Sequence, residues 1–243
     1  NSTTKQIFCF PISDEDWQGD VHPVVDARGG ECAYQALVIA THLALAKHVD
    51  AIVTSPLHKV ALKNAGYDYP GHTELLAELC GVHEHAMMLY LPPGNKKCQG
   101  RMGLGVVHVT LHIALREIFE KLTTQSILEK IVLAQNVFQK LQHACRFSEP
   151  PRIAVTALNP HAGEGGRFGN EESERIAPAV QQARALGIDV VGPLSTDTLM
   201  PRAVAGDFDA VVAMYHDQGH IALKLLDMYD AVNITLGLPI IRT

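Results

Sequence analysis

Apolar residues in this chain alternate between two rhythms. Short β-rich apolar runs occur at residues 50–54, 85–91, 104–111, 153–158, 188–191, 209–214 and 232–236, the pattern of buried strands. Between them lie stretches with helical spacing. Residues 30–48 carry Ala33, Leu37, Ala40, Ala44 and Ala46 on good helix formers. Ser55-Pro56 reads as a cap and first helical residue for a helix ending near Gly66. Further helices are expected over 73–80, 113–121, 126–145 and 171–186, the last with acidic residues in its first turn and Gly187 at its end. A short helix is expected from Thr196. Residues 1–25 read as irregular, with an extended piece at 21–24. Strands alternating with helices across short connections predict an α/β protein with a largely parallel sheet. No internal repeat or low-complexity tract interrupts it.

Composition narrows the class. The chain has 243 residues, 47% hydrophobic and 19% charged, with a formal net charge of −6. That balance is globular and offers no basic footprint for nucleic acid. No apolar run approaches the ~20 residues needed to span a bilayer, and the first residues lack the regions of a signal peptide. Five cysteines without a C-x-x-C pair read as reduced thiols of a cytoplasmic protein.

The candidate chemistry sits where strands end, the edge at which α/β sheets keep their sites. The run ending at Met214 empties into Tyr215-His216-Asp217-Gln218-Gly219-His220, read as a polar loop bent at its glycine, with Lys224 just beyond. The run ending at Leu158 empties into Asn159-Pro160-His161-Ala162-Gly163-Glu164-Gly165-Gly166. Its glycines lack G-x-G-x-x-G spacing, so a polar loop presenting His161 and Glu164 is preferred to a dinucleotide fingerprint. His108 and His112 would lie ~13 Å apart on a strand and could not share an ion there; His112, at the strand end, is the better ligand. His112, His161 and His216 thus form a candidate set of neutral imidazoles for a catalytic divalent metal, with Asp197, Asp217 and Glu164 available to orient the rings.

Five segments also carry a family resemblance: "YPGHTELLAE", "LNPHAGEGGRFGNEE", "GPLSTDT", "VVAMYHDQGHIALK" and "VNITLGLPIIRT". Together, and in this order, they resemble the 4-hydroxythreonine-4-phosphate dehydrogenase family of vitamin B6 biosynthesis, from about residue 20 to the end. The resemblance implies an isocitrate/isopropylmalate-dehydrogenase-like fold with two α/β/α domains and a cleft between them. Residues 1–70 would belong to the NAD-side domain, 71–235 to the metal, substrate and dimerisation domain, and 236–243 would return toward the first. It implies a homodimer in which His216 reaches the partner's site, and a divalent ion (Zn, Mg, Co or Mn) on His112, His161 and His216. His72, Thr73, Lys224, Asn233 and Arg242 match residues that hold the substrate's anionic groups, and Lys224 and Asp197 are the candidate catalytic residues. The implied reaction is NAD-dependent oxidation of a secondary alcohol followed by loss of carbon dioxide.

Departures from the family pattern carry expectations of their own. The family's opening "GDPAGIGPE"-like segment and its "SVDHGTA"-like continuation have no counterpart here, so the chain is expected to be truncated at both ends. Its Thr-His-Leu-Pro-Leu motif reads Leu111-His112-Ile113-Ala114-Leu115, which makes His112 the least secure ligand. Gly219-His220 and "LKLLDMYD" favour relatives acting on four-carbon phosphosugar acids or on dihydrodiols of aromatic acids. A fragment that binds metal without completing the reaction is the competing expectation.

Overall fold

The computed structural model describes residues 24–242 together with Cys9, Pro11 and Ile12. The irregular segment expected over 1–25 and the extended piece at 21–24 fall almost wholly outside the described residues. The chain divides into two compact units, residues 1–83 with 238–243 and residues 84–237. His72 and Thr73 belong to the first unit.

In that first unit α1 (Ala27–Leu45) starts three residues earlier than its apolar spacing indicates. The reason is Asp26, whose carboxylate caps the helix by accepting the Gly29 N–H at 2.8 Å. Ser55-Pro56 caps nothing. Helix α2 (Lys59–Asn64) begins later, with the His58 imidazole accepting the Ala61 N–H. Helix α3 (His72–Leu79) follows. The strand expected at 50–54 reduces to a single bridge between Ile52 and Arg242. Leu37, Leu75, Leu76, Ile52 and Ile240 form this unit's core.

The second unit is built on six strands: β1 (Ala86–Leu91), β2 (Leu104–His108), β3 (Ile153–Thr156), β4 (Val190–Leu194), β5 (Ala210–Ala213) and β6 (Val232–Leu236). Their order is β4-β3-β5-β2-β1-β6. The first four are parallel, and β1 runs antiparallel to both β2 and β6, so the sheet is mixed but largely parallel as expected, with β1 alone reversed among its six strands. Every residue of β2, β3 and β5 is buried, which is why they read as unbroken apolar runs.

Helices α4 (Ile118–Lys121), α5 (Thr124–Cys145), α6 (Ala177–Ala185), α7 (Thr196–Val204) and α8 (His216–Leu226) accompany these strands. Two differ from their sequence patterns. The expected helix at 113–121 is a 3-10 turn (Leu115–Glu117) leading into α4, and that at 171–186 opens with a π-helical turn, Glu172–Ile176, before α6. Ile127, Ile131, Ala134 and Phe138 of α5 pack with α6 on one face of the sheet. Leu199 and Ala203 of α7 and Leu223 of α8 belong to the core on the other face. Because β2, β3, β4 and β5 are parallel, their carboxyl ends share one edge, and the turns leaving that edge carry His112, His161, Asp197 and His216. No helix among the described residues is long and apolar enough to cross a membrane.

Candidate functional site

The Tyr215–His220 stretch is not a loop. His216 is the first residue of α8, and Gly219 sits inside the helix. Its hydrogen serves packing rather than bending: a Cβ there would stand 2.5 Å from both the His108 Nε2 and a Val106 methyl. The helix thereby lies close against β2 and brings a second pair of histidines together. His220, one turn after His216, is buried and shares a 3.1 Å hydrogen bond between its Nδ1 and the Nε2 of His108, which is 1% exposed. The His220 ring also stacks on His216, with centroids 3.8 Å apart and planes within 8°. Burial, then the neighbouring imidazole, pushes His108 down to about 3 and His220 to about 4, so both rings are neutral at about pH 7, with one N–H donating to the other ring's nitrogen.

His112 arrives from the neighbouring strand. Beyond β2 the chain stays tied to the end of β5: Val109 N–H donates to Ala213 O, and the Thr110 hydroxyl donates to Met214 O at 2.8 Å. His112 follows, exposed, with its ring centroid 5.9 Å from that of His216. Asp217 Oδ1 takes the Nδ1 side of His216 at 2.7 Å. That leaves Nε2 as the ring's lone pair, as in a histidine prepared for a metal.

His161 is presented differently. It opens a run of six residues, 161–166, with positive φ, and it is exposed. It lines a cavity of about 680 Å³ together with Asp197, Asp217, Tyr215 and Gln218. Asp197, in the first turn of α7, accepts the Ser195 hydroxyl at 2.7 Å, which lowers its pKa, with a smaller contribution from His161. Gln218 ties the floor of this edge together. Its side-chain N–H donates to Ala157 O at 2.7 Å, and its oxygen accepts the Met214 N–H and the Thr156 hydroxyl.

The candidate anion-binding residues fall in both units. In the first, Arg242 donates to the Thr54 hydroxyl through Nε (3.1 Å) and Nη2 (2.9 Å). Burial, with the Arg242 charge next, lowers the pKa of His72 at the start of α3, where Thr73 follows half-buried. In the second, Lys224 is exposed in the last turn of α8, and Asn233 is exposed on β6 opposite Leu89. Thus His72 meets Arg242, His112 meets His216, and His161 shares a cavity with Asp197.

A resident metal has a fitting donor chemistry here, since two imidazoles face each other and one is oriented by a carboxylate. Yet no three His, Cys, Asp or Glu side chains among the described residues are placed to hold an ion. The sequence pattern passes over His108, names His220 and Gln218 only as members of the stretch after Met214, and reads Glu172 as a first-turn acid. The i, i+4 spacing of His216 and His220 is a usable signal for the second, once the stretch is read as helix.

A mixed α/β unit with histidines gathered at the carboxyl edge of its parallel strands has them where α/β sheets hold their ligands. The family model described as Pyridoxal phosphate biosynthetic protein PdxA matches residues 5–243, and the chain belongs to that family. It is 48% identical over 219 residues to the D-threonate 4-phosphate dehydrogenase of Salmonella typhimurium, covering 90% of this chain and 62% of that protein. It is 50% identical over 214 residues to the 4-hydroxythreonine-4-phosphate dehydrogenase of Geobacter metallireducens, covering 88% and 59%. The crystal structure of 4-hydroxythreonine-4-phosphate dehydrogenase from Klebsiella pneumoniae matches with a TM-score of 0.79 and 48% identity over 93% of this chain and 65% of that one. The chain spans about three fifths of the length of the curated relatives it matches.

Proposed function

We propose that the chain serves a metal-assisted, NAD-linked dehydrogenase that oxidises the secondary alcohol of a phosphorylated four-carbon hydroxy acid and then releases carbon dioxide. D-threonate 4-phosphate and 4-hydroxythreonine 4-phosphate, the substrates in the relatives' names, are the first two candidates. The observation that carries this reading is His216, oriented by Asp217 and facing His112 at the edge where parallel strands end. The reading includes the isocitrate/isopropylmalate-dehydrogenase-like fold and a homodimer whose shared site would complete the ligand set that one chain leaves unfinished.

When bound, a divalent ion supplies Lewis acidity that makes the substrate alcohol easier to ionise. The chain's own groups do the rest. The groups suited to the substrate's anionic parts are Arg242, whose guanidinium suits a bidentate oxyanion, with His72 and Thr73 in the first unit, and Lys224 and Asn233 in the second. Asp197, kept as a carboxylate by Ser195, is the group suited to take the alcohol proton, and a nicotinamide cofactor, if bound, would supply the hydride acceptor. The resulting β-keto acid loses carbon dioxide, and Lys224 returns a proton to the carbon left behind.

The test follows NAD reduction with added divalent metal on D-threonate 4-phosphate, 4-hydroxythreonine 4-phosphate and a cis-dihydrodiol of terephthalate. Turnover on a phosphorylated acid, abolished by His216→Ala, is expected. Turnover on the dihydrodiol alone would move the substrate class. Inorganic phosphate released without NAD reduction would replace the reading with a phosphohydrolase.

A further inference from the structure

The most unusual backbone in the molecule is the turn that presents His161. Residues 161–165 have φ of 52°, 54°, 77°, 44° and 69°, and three of them, His161, Ala162 and Glu164, carry a Cβ. Left-handed backbone is disfavoured for such residues and normally appears one residue at a time. A consecutive run needs an outside constraint.

That constraint is visible in one side chain. Glu172, 6% exposed, reaches back from the π-helical turn. Its Oε1 accepts the backbone N–H groups of Leu158 at 2.9 Å and Asn159 at 2.7 Å, and its Oε2 accepts the Asn159 side-chain N–H at 3.1 Å. Glu171 takes the same Asn159 amide at 2.8 Å. The Glu172 carboxylate also lies directly under the turn: a Cβ on Gly163 would stand 2.7 Å from Oε2. Among the described residues its partners are amides, not cations. The widened turn is what allows the side chain to reach them, and such π turns recur at functional sites. Glu172 does not line the cavity that His161 faces, so it acts on the site only through the strand end it grips.

We propose that Glu172 is the positioning residue for His161: by holding the backbone amides of Leu158 and Asn159 it fixes the left-handed turn and the direction of the imidazole. The inference rests on reading His161 as a metal ligand, and the experiment separates the two. The full chain, Glu172→Ala, Glu172→Gln and His161→Ala are titrated with cobalt(II) followed by absorption, and each is measured by hydrogen–deuterium exchange. Glu172→Ala is expected to weaken cobalt binding about 10–100-fold, the usual range for losing a group that supports a ligand. It is also expected to raise exchange over 158–166 while leaving 216–226 unchanged. Glu172→Gln keeps an oxygen for both backbone amides and restores most of the affinity.

Cobalt binding within twofold of the parent in Glu172→Ala, alongside its loss in His161→Ala, would overturn the proposal. If His161→Ala binds cobalt like the parent, the metal reading of His161 fails instead. Exchange over 158–166 then decides alone: unchanged exchange in Glu172→Ala rejects the positioning role and raised exchange supports it. Should Glu172→Ala unfold, the same measurements on Glu172→Asp, one methylene short of the amides, take its place.

Discussion

His216 and His161 both leave the carboxyl edge of parallel strands, and opposite means hold them there. His216 rides on regular structure. It opens α8, which Gly219 lets settle against β2, and its ring is stacked on His220, itself hydrogen-bonded to His108. His161 sits on a backbone that regular structure does not favour, kept in place by carboxylate contacts to amides. One device is a matter of packing and neutral rings. The other is a matter of local strain countered by charge-assisted hydrogen bonds. Each therefore fails under a different perturbation.

Acid is the largest of these perturbations and acts on the α8 side. His108 and His220 are held near 3 and 4, below the ordinary 6.5, by burial first, and then His108 by His220 and His220 by His216 and Lys224. As pH falls through 6.5 the unfolded chain takes up protons on both rings and the folded chain does not. Their contribution to stability is therefore fully present above 6.5 and is lost progressively down to about 3. Urea midpoints at pH 7.5 and pH 5 test this. The midpoint is expected to be lower at pH 5, and less so in His220→Gln, which cannot take up a proton. Equal midpoints at the two pH values in the parent would refute it.

Next come two glycines that differ in why they are glycine. Gly219 lacks room, whereas a Cβ on Gly165 would meet nothing within 4 Å but would sit on a backbone with φ of +69°. Gly219→Ala should cost about 1–3 kcal/mol through overlap with His108 and Val106. It should also disturb the His108–His220 pair, visible as a change in the imidazole NMR signals. Gly165→Ala should cost about 1–2 kcal/mol, the penalty for one left-handed residue with a Cβ, and leave those signals alone. A Gly219→Ala protein within about 0.5 kcal/mol of the parent, the scatter of harmless surface changes, would show that α8 is not pressed against β2.

The same contrast marks what can be read from the sequence. Buried strands announce themselves: β1, β3 and β5 lie where their apolar runs place them, as does the long helix α5, and β6 lies at its expected 232–236 although its first two residues are exposed. The ends of those runs correctly mark the edge where His112, His161 and His216 emerge. What fails depends on distant partners. Among the described residues the 50–54 run meets no named strand and survives as the Ile52 bridge to Arg242. The antiparallel edge formed by β1 and β6 pairs residues far apart in sequence, which periodicity does not encode. Gly219 reads as a bend because its reason is the side chain of His108, on another strand. Glu172 reads as a helix-start acid, since its service to Leu158 and Asn159 needs a π turn that no local pattern announces.

The smallest effect separates the two devices by sign. Ala162, at φ +54° in the left-handed turn, and Ala222, inside α8, are the same residue in opposite backbones. Glycine at 162 removes a left-handed penalty of about 1–2 kcal/mol and adds a chain-entropy cost of about 0.5–1 kcal/mol. Ala162→Gly is thus expected to raise stability by up to about 1 kcal/mol. Glycine at 222 relieves nothing and should lower stability by about 1 kcal/mol, the helix-interior difference between the two residues. Both variants are made in the full chain and compared by urea midpoint at pH 7.5, where the imidazole pair contributes equally to each. If Ala162→Gly destabilises as Ala222→Gly does, the turn at 161–165 holds no strain for Glu172 to counter. Opposite signs would mean that the presentation of His161, unlike that of His216, is maintained against the preference of its own backbone.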